Sequence, residues 1–201
     1  MSSRDTFREK YDQDLPPANH RFNKSLIEIV KLLKTDFDKK QQENNFEERL
    51  HGLKQLRVIL RSESSDIDVQ VRNFWKDVKD GLVKHIGDPR SKVQIQALVT
   101  SSMFIEEVPI CRNELCEWVL DACFQLFKVS QKMLSSAAWT VTTIIVQEQK
   151  SIVIFKRIMF YAHLLITRKK EVDGEGFRTI LDLFFGSERK KSDYEQGPAE
   201  V

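Results

Sequence analysis

Turn-forming residues are scarce in this chain, which holds seven Gly and five Pro in 201 residues. An all-β fold needs a turn about every 8–12 residues, and a doubly wound nucleotide-binding fold needs a glycine loop between strand and helix. So little Gly excludes both and favours long helices. Cysteine is scarce as well: Cys111, Cys116 and Cys123 are an odd number in one short region, which does not suit the disulfide framework of a secreted domain. Their spacing is not that of paired zinc ligands, and no histidine lies near them, so small buried side chains are the reading. His20, His51, His85 and His163 are scattered and form no ligand pair.

Long apolar runs are missing too. The longest uncharged stretch, Met133 to Gln147, has 15 residues and includes two serines and three threonines, whereas a membrane-spanning helix needs about 20 mostly apolar ones. The first residues, MSSRDTFREKYDQD, alternate charges where a secretory signal needs an apolar core. A soluble protein of the cytoplasm is expected. Neither a phosphate-cradling glycine loop nor a nucleophile elbow occurs, and Glu106-Glu107 point in different directions on a helix. A non-enzymatic protein without cofactor or metal is therefore expected.

Amphipathic segments fill most of the chain. Residues 1–20 are polar, end in Leu15-Pro16-Pro17 and read as a flexible leader. From Arg21 the apolar residues fall at helical spacing: Phe22, Leu26, Ile29, Val30 and Leu33, then Phe46, Leu50, Leu53, Leu56 and Ile59 after an Asn44-Asn45 cap. Further helices are predicted at Val69–Ile86, Arg90–Val108, Glu114–Phe127 and Ser130–Gln147, with Asp88 and Pro89 as N-cap and first residue of the second of these. This makes three helical hairpins.

The hairpins repeat. Aligning their second helices places Gly52 over Ala97 over Ala137, and Leu60 over Ile105 over Ile145, at offsets of 45 and 40 residues. Such periods match helical HEAT and armadillo repeats of about 40–47 residues, and the column of small residues lets paired helices approach closely. The expected fold is an all-α helical-hairpin solenoid of three to four repeats over residues 21–185. A helix at Ile158–Thr167 brings Ala162 to the small position only 25 residues after Ala137, as if the first helix of a fourth hairpin were shortened or absent. A last short helix is expected at Phe177–Phe185, followed by a disordered polar tail at 186–201.

The net charge of +2 hides a local excess. Between Lys128 and Lys170 eight basic residues face one acidic residue, Glu148, so the window carries +7 and the remainder −5. In a solenoid the turns within successive hairpins align along one edge. Phe46, Arg90, Lys92 and Lys132 stand at the starts of second helices and are expected to form a ridge suited to an acidic partner. Nucleic acid is not favoured, since no binding module is recognisable.

At these turns the sequence resembles a known family. Residues 45–56 (NFEERLHGLKQL) look like the first repeat of a TOG domain, in which a tryptophan usually occupies the turn; residues 88–97 (DPRSKVQIQA) resemble the second-repeat turn and 129–138 (VSQKMLSSAA) the third. Residues 149–158 (QKSIVIFKRI) are similar to the fourth-repeat turn of the CLASP type. TOG domains are paddles of six HEAT repeats that bind tubulin through these turns, and CLASP proteins stabilise microtubules at plus ends, kinetochores and the spindle. The resemblance implies a microtubule-associated protein of the cytoskeleton, with tubulin and other cytoskeletal proteins as partners. By that resemblance Phe46 takes the tryptophan's place, while Arg90, Lys92, Lys132, Lys156 and Arg157 pair with acidic tubulin side chains. An adaptor that holds another protein on the same scaffold is the alternative.

Overall fold

A computed structural model describes residues 3–13, 15, 26–34, 42–61 and 67–167. Eight helices lie among them: α1 (Ser3–Asp12), α2 (Leu26–Leu33), α3 (Gln42–Arg61), α4 (Ile67–Ile86), α5 (Ser91–Glu107), α6 (Pro109–Leu126), α7 (Lys132–Glu148) and α8 (Ile152–Thr167). No strand occurs in the described residues. The expected helix at Phe177–Phe185 and the tail at 186–201 lie outside them.

Consecutive helices form hairpins, and the hairpins stack in two layers, α2, α4, α6 and α8 in one and α3, α5 and α7 in the other. Within a hairpin the chain directions oppose. Trp75 meets Phe104 while the Ile86 carbonyl accepts from Gln94, and Phe127 stacks on Trp139 while Arg112 pairs with Glu148. Within a layer they agree: Arg49 meets Asp88 and Arg57 meets Gln96, just as Arg157 meets Asp121 and Tyr161 stacks on Phe124. This is the geometry of a HEAT-like solenoid.

The core follows the apolar periodicity. Leu53, Leu56, Val78, Leu82, Leu98, Val119 and Ile145 are sealed from solvent. Helix α5 is the most enclosed, with every residue from Ile95 to Ile105 buried between α3, α4, α6 and α7. Two of its buried hydroxyls find partners inside, whereas Ser101 Oγ has none among the described residues. Thr100 donates to the Gln96 carbonyl at 2.7 Å and Ser102 to that of Val99 at 2.8 Å. The small column serves the packing: Gly52, Ala97 and Ala137 are all buried, and a Cβ on Gly52 would lie 3.2 Å from Cβ of Leu32 in the paired helix.

Three features differ from the sequence expectations. The described part of the leader is a helix, not a flexible segment: α1 packs on α5 and α7. Only Phe7 and Tyr11 mark its inner face, and its hold is largely ionic. Asp12 takes a hydrogen bond from Arg57 at 2.9 Å and pairs with Arg61, while Arg8 pairs with Glu106 and Glu107. Secondly, Ala162 belongs to α8, which packs against α6 and so is the first helix of the fourth hairpin. That helix is present, at 16 residues. Thirdly, helix starts move: α3 begins at Gln42 rather than after Asn44-Asn45, α6 at Pro109 rather than Glu114 and α8 at Ile152 rather than Ile158, and Asp88 precedes the N-cap of α5, which is Arg90.

Candidate functional site

The connections within hairpins at 87–90 and 127–131, together with the start of α3 at Gln42, fall on one edge of the solenoid, since layer mates run in the same direction. On that edge Phe46 is half-buried in the second turn of α3. Arg90, exposed at the start of α5, lays its guanidinium over the Phe46 ring, 5.8 Å from the centroid. A cation over an aromatic face at an exposed site is worth about 0.5–1 kcal/mol. The contact joins the first two hairpins.

Asp88 holds this arrangement in place. Its Oδ2 accepts from Arg49 Nε at 2.8 Å, and its Oδ1 accepts the Arg90 backbone N–H at 2.8 Å. The Arg49 and Asp88 side chains are almost wholly buried. Arg49 lies three residues after Phe46, so α3 supplies both the ring and the anchor for the turn opposite it. Gln94 closes the same turn by donating to the Ile86 carbonyl at 2.9 Å. Buried His85 is also close, with Nδ1 3.8 Å from Asp88 Oδ2. Burial outweighs that carboxylate and pushes the imidazole down to about 4, so it is neutral at physiological pH.

Lys92 is exposed on the first turn of α5, and Lys132 is exposed as the first residue of α7. Val129 and Met133 are exposed beside Lys132. Phe46, Arg90, Lys92 and Lys132 thus share one edge. Lys156 and Arg157 do not. They follow the connection between α7 and α8, which lies at the opposite edge, and Arg157 turns back onto α6, bonding Asp121 at 2.5 Å and Glu117 at 2.9 Å. The hydrogen bond to Asp121 is the main cause that raises its pKa. The basic window is therefore split between two edges and one internal ion-pair cluster.

Of the two positioning residues, Arg49 was not singled out in the sequence, and Asp88 was read there as a helix cap but not as the partner of Arg49. Their signal is present in outline, an arginine three residues after the turn aromatic and an aspartate before the turn proline. Composition alone does not show that they meet.

The cysteines are buried in α6. Burial pushes the thiols of Cys116 and Cys123 up to about 12, so both are protonated and poorly nucleophilic. Among the described residues no group of three or more His, Cys, Asp or Glu is placed to hold a metal ion. No described helix is long and apolar enough to cross a membrane.

No protein-family model matches the chain, and no solved structure matches it. Among curated proteins the chain is similar to Protein CLASP-1 of Caenorhabditis briggsae, 28% identical over 115 residues, which are 57% of this chain and 9% of that protein.

Proposed function

We propose that this chain is a non-enzymatic TOG-like module that binds tubulin or the microtubule lattice along the edge carrying Phe46, Arg90, Lys92 and Lys132, and so regulates microtubule dynamics or stability. The observation that carries the reading is the Arg90–Phe46 contact, because it brings the turn aromatic and the second-turn cation onto one surface. The similarity to CLASP-1 supports the same reading. Phe46 supplies the apolar contact, and the three cations steer acidic tubulin surfaces into register, acting mainly on association rate and specificity. Lys156 and Arg157 have no part in this edge. The place of action is the cytoskeleton, at microtubules and the spindle.

Co-sedimentation with polymerised tubulin, and gel filtration with free tubulin, test the reading. The native chain is expected to bind, and Phe46→Ala with Lys132→Glu to abolish binding. No binding, or binding indifferent to both changes, contradicts it.

An adaptor role is favoured by a different observation. The outer face of α6 and α8 exposes Trp118, Met159 and Phe160, each more than 40% accessible. A protein partner captured with Phe46 and Lys132 both replaced, and lost on Trp118→Ala, supports that reading.

A further inference from the structure

Helix α1 and the start of α7 enclose an open groove of about 360 Å³. Phe7 and Tyr11 form one wall, with rings packed edge to face at 5.4 Å, Met133 the other, and buried Ala137 the floor. Two cations stand on the rim, Lys10 from α1 and Lys132 from α7. Lys10 Nζ lies 5.3 Å from the Tyr11 ring centroid.

The surroundings carry little negative charge. No acidic residue occurs between Asp121 and Glu148, so the whole of α7 before its last residue is free of carboxylates. On α1, Asp12 is engaged by Arg57 and Arg61, and Glu9 projects from the face opposite Phe7, Lys10 and Tyr11. No described carboxylate pairs with Lys10 or Lys132. The groove is thus an apolar slot between two cations, large enough for one bulky side chain and its neighbours.

We infer that this groove docks an acidic peptide segment of a partner protein, with one aromatic or large aliphatic side chain in the slot and carboxylates on either side meeting Lys10 and Lys132. Two cations are too few to track a nucleic-acid backbone with useful affinity. The apolar residues line a concavity rather than a protruding face, which does not suit a lipid surface. Because α1 is fixed to α3 by the buried Asp12–Arg57 pair and to α5 by the part-buried Arg8–Glu106 pair, the slot exists before the partner arrives, which lowers the ordering cost of binding.

Fluorescence polarisation of the full chain with labelled nonapeptides provides the test. The probes are one peptide of eight glutamates with a central phenylalanine, the same peptide with central alanine, and an oligothymidylate. The phenylalanine peptide is expected to bind, the alanine one about tenfold more weakly for want of an apolar anchor. Lys10→Glu and Lys132→Glu are each expected to weaken binding about fivefold, with a loss that shrinks in high salt. Ser136→Phe, an exposed position that fills the slot, abolishes it, while Lys150→Glu on the other edge leaves it unchanged. Circular dichroism of each variant confirms folding. Equal binding of the two peptides, insensitivity to both lysine changes, or oligothymidylate binding as tight as the peptide overturns the inference. So does a dimer of this chain that Ser136→Phe dissociates. No tubulin is present in this assay, so it stands or falls separately from the tubulin reading.

Discussion

Burying Arg49 against Asp88 removes both groups from water, so the pair adds little stability by itself, yet removing one partner strands the other. Asp88→Ala is expected to lower unfolding free energy by about 3–5 kcal/mol in urea titration, with the Arg90 turn released from Phe46. A loss below 1 kcal/mol would show that the turn does not depend on this carboxylate. His85 makes a second residue-level prediction. Its folded pKa of about 4 lies below the ordinary 6.5, so between those values the unfolded chain binds the proton and the folded chain does not. Stability from this group is complete above pH 6.5 and is lost as pH falls, by on the order of 3 kcal/mol at pH 4. His85→Gln is expected to flatten the unfolding profile between pH 6.5 and 4, and an unchanged slope would contradict the assignment. The pairing of these residues was not legible beforehand, although Asp88 was read as a helix cap. A buried ion pair joins positions 39 apart in sequence, and periodicity reports only apolar faces.

At the scale of helices, the sequence was read well where burial follows a simple period. Helices α4, α5 and α7 fall within two residues of their expected bounds. Reading failed where charge or stacking decides. The inner face of α1 is mostly ionic, so its polar sequence looked like a leader; the small residue Ala162 suggested a second-layer helix, although α8 stacks on α6 through Arg157 and Tyr161. Two changes probe helix contacts. A Cβ at Gly81 of α4 would lie 2.7 Å from Cβ of Leu33 in α2. Gly81→Ala is therefore expected to destabilise by about 1–3 kcal/mol despite the better helix former, and a rise in melting temperature would show that α2 yields freely. Asp12→Ala leaves Arg57, which burial already lowers to about 10, without its carboxylate. It is expected to cost about 3–5 kcal/mol, read by thermal melting, and an unchanged melting temperature would mean that α1 does not clamp the second layer.

For the whole molecule, the solenoid register was legible because offsets of 45 and 40 residues carry the same small and apolar columns. The edge was legible in part. Phe46, Arg90, Lys92 and Lys132 share it, since the second helices α3, α5 and α7 run in the same direction, whereas Lys156 and Arg157 were assigned from local likeness to a turn that the topology puts on the opposite side. Net charge gave no guide, as the basic window breaks up once Arg157 is neutralised by Glu117 and Asp121. The central claim is that the turn edge is the tubulin-binding surface, and hydrogen exchange of the chain with and without tubulin tests it most directly. Slower exchange is predicted at residues 87–92 and 128–133, with none at 149–157. Protection confined to α6 and α8, or no protection at the turns when tubulin is bound, would contradict it.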